Sequence, residues 1–484
     1  MRDAHPAKRI AIVGGGISGL ALAKFLRDVD SDRRRFELHL FDTGERACGG
    51  RASSKALAGV DVDHGLQYFT LSSDVARESF ARSLVDAGAL TRWSDDVVGI
   101  LDAASGRFTS FSDGAERFVG VDGFRGMSEE LVKHCDVVHR PQWVGAMHPV
   151  RRDDDGNVVE WALASNESDR AKQLGTYDFV VVAHNGKCAH RLASTAKDED
   201  GRSACEKVKS SLRCGFGVKP RDELSRENKL VLSSVWSVMV VFDGVHDFGD
   251  GFEGAHVVDG GPLSWVSNIS AKRGAVSQEG AKETRVVLQS TAEYARENKV
   301  PQEAVPKPKS KEVMETLVGA LEKSLKLEPN TMLSKVTMYK TQLWGAANPL
   351  NVCNVPCVLD LRTSTAAIGD WCTSGPACVE SAVLSANALA QALDDYFPDA
   401  TPGAATKALN AARPRWTLPN GATSAQGGFP GTSVPEMREA SPLPERRRGE
   451  GRGRGARGRG GGRGGRGRGR GAREFTARVV RTAL

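Results

Sequence analysis

Gly14-Gly15-Gly16-Ile17-Ser18-Gly19 stands directly after the apolar run KRIAIV and opens a stretch with helical spacing, matching G-x-G-x-x-G. In that pattern the first glycine permits a tight turn, the second lets backbone approach a pyrophosphate, and the third lets a helix pack on a strand. The amides of the helix N-terminus then face phosphate oxygens. Asp42 closes the next apolar run, 23 residues after Gly19, where a carboxylate accepts from ribose hydroxyls. The chemistry indicated is dinucleotide binding. The plainer alternative is a glycine-rich turn between any strand and helix.

Such residues need elements to hold them. KRIAIV and FELHLF, ending at Val13 and Phe41, read as short buried strands, and Ile17, Leu20, Ala21 and Phe25 between them fall at helical spacing. That is a βαβ unit. Residues 177–183, 235–242 and 285–289 read as further buried strands, with others just before Gly369. Val379, Ala382, Val383, Ala386, Leu389, Ala390 and Leu393 form one apolar helical stripe. Residues 269–284 and 295–312 read as surface loops or insertions, the second from its lysines and prolines. Residues 397–445 hold few large apolar side chains and should pack no core, and 446–473 are almost purely Arg and Gly.

A chain of 484 residues allows about three folding units. With 40% apolar and 26% charged residues its composition is that of an ordinary globular protein. No apolar run approaches the ~18 residues that cross a bilayer, which excludes a helical membrane protein. The first strand pattern begins within ten residues of Met1, so neither a secretory signal nor a transit peptide is expected. Nine cysteines, an odd number, argue against a disulfide framework and for a reducing compartment, hence a cytoplasmic protein. Residues 446–484 carry fourteen arginines and two glutamates, a charge of +12, which leaves residues 1–445 at −6 within a whole-chain charge of +6. A basic tail is joined to a mildly acidic body.

Other motifs narrow the choice of dinucleotide. Gly49-Gly50-Arg51 follows Asp42, then Asp63-His64-Gly65-Leu66-Gln67-Tyr68-Phe69-Thr70. Val119 to Ser128 (VGVDGFRGMS), Gly369-Asp370-Trp371-Cys372 and Val379-Glu380-Ser381-Ala382 come later. Together these resemble the renalase-like branch of the FAD-dependent amine-oxidase superfamily, in order and over residues 8 to about 395. The resemblance implies non-covalent FAD, held by both ends of the chain. Gly14, Gly16, Ser18 and Gly19 would hold the pyrophosphate and Asp42 the adenosine ribose. Arg51, after Gly50, would pair with phosphate charge, and Val144 would meet the adenine through its backbone. Asp370 would accept from the ribityl or phosphate side, with a helix N-cap as its plainer role. The helix beginning at Val379 and Ala382 would point its N-terminus at the flavin, and Gly65 and Gln67 would lie near the isoalloxazine ring.

The chain departs from the family pattern in several places. Asp42 replaces the usual Glu. Ser381 and Ala386 replace glycines, and Gln342 and Ala346 stand where the family has His and Tyr. The substrate pocket is therefore expected to differ. No side chain is singled out as a catalytic acid or base, since His64 and Glu380 read more simply as structural hydrogen-bonding groups. Cys353, Cys357, Cys372 and Cys378 lack zinc-ligand spacing, and no metal is expected. Of Trp236, Trp265, Trp344 and Trp371, at least two are expected in the core rather than around a substrate.

The expected fold is α/β. A three-layer Rossmann-type FAD-binding domain would be formed by 8–75, 119–192 and 355–396. A mixed-sheet α+β substrate domain would be formed by 76–118 and 193–354, followed by a disordered C-terminal tail, 397–484. The implied activity is an FAD-dependent oxidoreductase acting on an amine or dihydronicotinamide-type small molecule, with oxygen as acceptor. The Arg/Gly-rich box resembles an RGG box and offers RNA a salt-sensitive contact, against a merely solvated tail or translated non-coding DNA. Two other readings stay open: a nucleic-acid-associated protein on a degenerate flavin fold, and a desaturase-type flavoprotein.

Overall fold

Alternation along KRIAIV sends Ile10 and Ile12 to one face of a strand and Ala11 and Val13 to the other, and all four are buried. A strand buried on both faces belongs inside a covered sheet. In the computed structural model this strand, Lys8–Val13, sits third in a six-stranded sheet. The strand order is Val137–His139, Phe36–Phe41, Lys8–Val13, Phe179–Val182, Thr365–Ala367 and Val358–Asp360. All neighbours are parallel except the last pair. The structure describes residues 6–168, 171–218, 227–244, 248, 251–272, 283–397 and 400–420.

Helices Ile17–Val29 and Val379–Tyr396 cover one face, where Leu20, Val383, Leu389 and Leu393 pack with Ile10 and Ile12. An antiparallel sheet of Ala146–Arg152, Val158–Ala164 and Gln173–Tyr177 covers the other, where Trp161, Leu163 and Tyr177 meet Ala11 and Val13. The result is a three-layer, Rossmann-type α/β arrangement. The apolar run 177–183 breaks into two strands at Asp178. Its carboxylate accepts from the Arg9 amide at 2.9 Å and pairs with Lys8 at 3.3 Å.

A second, seven-stranded mixed sheet contains Val235–Asp243 and Glu283–Ser290, both longer than the sequence runs suggest. One face, through Trp236, Val238, Val240 and Leu288, packs on helix Lys307–Ser324. Its opposite face, through Met239, Val241 and Val287, packs on the hairpin of Ser54–Leu57 and Val60–Asp63.

Two expectations are corrected. Residues 295–312 are not a loop throughout, because helix Ala292–Glu297 ends inside them and Lys307–Ser324 begins there. Pro306 caps that helix and Pro308 lies in its first turn, where a missing N–H costs nothing, so the prolines start the helix rather than forbid it. Val313, Met314, Leu317, Val318 and Leu321 then bury one stripe, each contributing on the order of 1.5–3 kcal/mol. Residues 273–282 of the other expected loop lie outside the described residues.

Nor is the whole of 397–445 without a core. Helix Ala404–Ala411 forms, and Trp416 is buried with its ring stacked on Trp371 at 5.6 Å. Thr417 and Val352 exchange backbone hydrogen bonds, and Arg415 N–H donates to Cys353. One tryptophan and an edge of free backbone suffice to dock a segment of poor average hydropathy. The Arg/Gly-rich box at 446–473, and with it any RNA contact, lies outside the described residues. No helix among the described residues is long and apolar enough to cross a membrane. All nine cysteines are free thiols. Replacing Trp416 with alanine should destabilise the fold by about 3 kcal/mol in urea denaturation, whereas an undocked 400–420 segment would leave the midpoint unmoved.

Candidate functional site

A cleft of about 330 Å³ opens at the carboxyl ends of the parallel strands, lined by Val13, Phe41, Ala183 and Ile368 together with the loops that follow them. That edge is where open α/β sheets take ligands. The first loop is the glycine run. A side chain on Gly19 would place its Cβ 2.1 Å from the Gly14 carbonyl oxygen, so helix Ile17–Val29 approaches the strand only because Gly19 is bare. A Cβ on Gly16 would meet nothing within 4 Å, which leaves open space in front of the backbone that caps the helix. No side chain caps this helix and no acidic residue occupies its first turn. Its first amides and the positive end of its dipole are left for a ligand, beside the cleft-lining Gly14 and Ser18.

Asp42 shows how the chain closes this end. Its Oδ2 accepts from Gly15 N–H at 2.9 Å and its Oδ1 from Gly44 N–H at 2.7 Å. A Cβ on Gly15 would lie 2.6 Å from Oδ2. The shorter acid thus reaches the turn through a gap that only glycine leaves. Burial raises the Asp42 pKa above the ordinary carboxylate value, against the opposing pull of the two amides. Thr43, Gln142, Trp143 and the buried Val144 complete this end of the cleft.

Arg51 and Asp370, each expected to meet the cofactor separately, pair with one another. Arg51 Nη1 donates to Asp370 Oδ2 at 2.7 Å and to the Ala347 carbonyl at 2.8 Å. Burial opposes the Arg51 charge, but the charge and hydrogen bond of Asp370 outweigh it and hold the guanidinium's pKa above its usual value. Asp370 Oδ1 and Trp371 Nε1 are buried without a protein partner. Both residues line the cleft, and two such orphans mark a place for a polar ligand. Gly50, Val379 and Ala382 line it too. Helix Val379–Tyr396 starts there at Cys378 with no side-chain cap. Its one first-turn acid, Glu380, turns aside to accept from the Ser72 amide at 2.8 Å, the Ser72 hydroxyl at 2.7 Å and the Ser73 amide.

The departures fit locally. Ser381 Oγ donates to the Pro376 carbonyl at 2.8 Å, and Ala386 is wholly buried. Gln342 accepts from Lys55 at 2.6 Å, while Ala346 borders the cleft.

Gly65 and Gln67 do not line the cleft, although Leu66 between them does. A Cβ on Gly65 would fall 2.1 Å from the Arg51 carbonyl oxygen, so this glycine lets the 63–67 segment lie behind Arg51. Gln67 is fully buried. Its amide donates to the Asp63 carbonyl at 2.8 Å and its Oε1 accepts from Trp265 Nε1 at 3.2 Å. Buried polar groups must be satisfied, and these contacts turn it away from the cleft. The His64 ring lies 5.1 Å from that of Trp344, tilted by 34°, and burial pushes its pKa down to about 3, which suits a structural role. Trp236 and Trp265 are core residues, while Trp344 and Trp371 face the cleft. Gly15, Trp143, His184 and Asn185 belong to the site without having been anticipated. For His184 and Asn185 the available signal was their place just past a parallel strand. Among the described residues no group of His, Cys, Asp or Glu is arranged to hold a metal.

A family model described as an NAD(P)-binding Rossmann-like domain matches residues 12–84. Among solved structures the chain is similar to putrescine oxidase bound to putrescine, at 11% identity over 80% of this chain and 98% of that one, with a TM-score of 0.48. It is also similar to 2,6-dihydroxypyridine-3-hydroxylase from Arthrobacter nicotinovorans, at 10% identity, coverages of 84% and 88%, and a TM-score of 0.46. The tetracycline destructase Tet(51) gives 13% identity, coverages of 84% and 86%, and a TM-score of 0.42.

Because a methyl group on Gly15 collides with Asp42, Gly15→Ala should weaken binding of ADP by tenfold or more, about 1.4 kcal/mol, with little change in far-UV circular dichroism. Calorimetric titration measures it, and unchanged affinity would remove Asp42 from the site.

Proposed function

We propose that the protein is an FAD-dependent oxidoreductase that oxidises an amine or a dihydronicotinamide-type small molecule and passes the electrons to oxygen, giving hydrogen peroxide. One observation carries the FAD reading. Two uncapped helix N-termini, Asp42 and the unpartnered Asp370 Oδ1 and Trp371 Nε1 share a single cleft. The sequence resemblance supplies the substrate classes and the acceptor. FAD supplies the two-electron chemistry that side chains lack.

On this reading the residues divide the work. Gly14, Gly16, Ser18 and Gly19 shape the pyrophosphate seat, Asp42 holds the ribose and the backbone at Val144 meets the adenine. Arg51 neutralises Asp370 and keeps it in place, so that Asp370 Oδ1 and Trp371 Nε1 offer one acceptor and one donor toward the middle of the cofactor. The N-terminus of Val379–Tyr396 contributes positive potential where a reduced ring gathers negative charge. Gly65 packs behind Arg51, and the Gln67 amide holds the Gly65 carbonyl at 3.2 Å. Segments 8–75, 119–192 and 355–396 form the cofactor domain, and 76–118 and 193–354 the substrate domain. Attachment is non-covalent. Burial raises the pKa of Cys378, the thiol lining the cleft, and an undissociated thiol is a poor nucleophile.

The purified protein should be yellow, with flavin absorbance near one per chain that acid precipitation releases into the supernatant. Stripping the flavin should lower Tm, and adding FAD back should restore it. Anaerobic bleaching by aged NAD(P)H or by one of a panel of amines selects the substrate class. A colourless native protein that gains no Tm from added FAD would overturn the reading.

A further inference from the structure

Beside the cleft, on the side of Trp344 and Gly345, stands a small cationic feature that the reading above does not use. Helix Gly186–Thr195 starts next to the cleft-lining Asn185, with no side-chain cap and no acidic residue in its first turn. Its second residue, Lys187, holds Nζ 5.4 Å from the centroid of the Phe216 ring. Lys299, three residues before the cleft-lining Gln302, holds Nζ 4.0 Å from the same centroid. Phe216 is 38% exposed. Lys299 also donates to Ser234 Oγ at 3.2 Å, and Ser234 Oγ donates to the carbonyl of cleft-lining Gly345 at 3.0 Å. The feature is thereby tied to the cleft wall.

Among the described residues no carboxylate lies within ion-pair distance of either ammonium. Elsewhere lysines do find acids: Lys209 pairs with Glu206 at 2.6 Å and Lys309 with Glu312 at 2.7 Å. Burial and the charge of Lys187 both press the Lys299 pKa below its ordinary value, so the two ammoniums stand close enough to oppose one another. Two like charges, an uncapped helix start and an exposed aromatic ring make an arrangement that an anion relieves. On a body whose net charge is −6, that is a local exception.

We propose that the Lys187–Phe216–Lys299 clamp binds the oxyanion, carboxylate or phosphate, of the small molecule that enters the cleft. The inference rests on the cleft being the reaction site and narrows its substrate to an anionic molecule, since two ammoniums beside the cleft repel a cationic amine. The ring covers the apolar part next to the anion, and the ammoniums and the amides of Gly186 and Lys187 supply donors. This seat is separate from the pyrophosphate seat at helix Ile17–Val29.

The test is isothermal titration of the purified protein with benzoate and, separately, with inorganic phosphate at low ionic strength, with flavin content read from absorbance. Lys187→Gln/Lys299→Gln should weaken the anion by tenfold or more. Lys187→Arg/Lys299→Arg should retain it, and 0.5 M NaCl should weaken the wild type. A loss confined to benzoate assigns a carboxylate, and one confined to phosphate assigns a phosphate. Either supports the clamp. No wild-type heat with both anions, or equal affinity in the glutamine variant, overturns it. Flavin-free protein that gains no Tm from added FAD but still gives the lysine-dependent heat defeats the cofactor reading alone, and flavin-loaded protein without that heat defeats the clamp alone.

Discussion

Arg51 and Asp370 lie 319 residues apart in the chain and 2.7 Å apart in space. Each is poorly placed alone. An arginine largely removed from water, or a carboxylate nearly so, costs several kcal/mol, and the pair offsets that cost only when its geometry and remaining hydrogen bonds are good. Here Arg51 gains the Ala347 carbonyl as well, and Asp370 keeps one oxygen without a protein partner. Removing either partner would leave a buried charge, so the Gly50–Ala52 turn and the Gly369 turn are locked to one another.

The rest of the molecule serves that junction. Gly65 lets the 63–67 segment pack behind Arg51, Leu66 N–H donates to the Arg51 carbonyl at 2.8 Å, and Gln289 of the seven-stranded sheet donates to the Gly65 carbonyl at 2.7 Å. On the other side Cys353 N–H donates to the Trp371 carbonyl, and Trp416 stacks on Trp371. The second sheet and the 400–420 segment therefore both buttress the centre of the cleft, one through the back of Arg51 and the other through the back of Trp371.

Several parts of this were legible in the residues. The strand–glycine–helix–strand opening, the stripe from Val379 to Leu393 and the placement of Asp42 follow from local periodicity and turn chemistry, which act over a few residues. The orientation of Gln67 was not legible. A glutamine in a motif points wherever its amide is satisfied, and the Asp63 carbonyl and Trp265 that satisfy it come from the fold. Trp416 escaped notice for the opposite reason: in a stretch averaged as polar, one large ring decides the docking. The prolines near residue 307 read as breakers because the same residue type serves to begin a helix as well as to end one.

The sequence by itself determined the Rossmann-type strand–glycine–helix–strand opening, because glycine spacing, buried strands and a closing acid are properties of neighbouring residues. It also offered Asp42 as a candidate site residue from spacing, and Arg51 and Asp370 through the family resemblance. Only the tertiary structure decided that Arg51 and Asp370 answer each other, that Gly15 is bare to admit Asp42, and that Lys187 and Lys299 share one exposed ring. Those are contacts between segments 27, 319 and 112 residues apart, and no local preference carries information about which distant side chain will arrive.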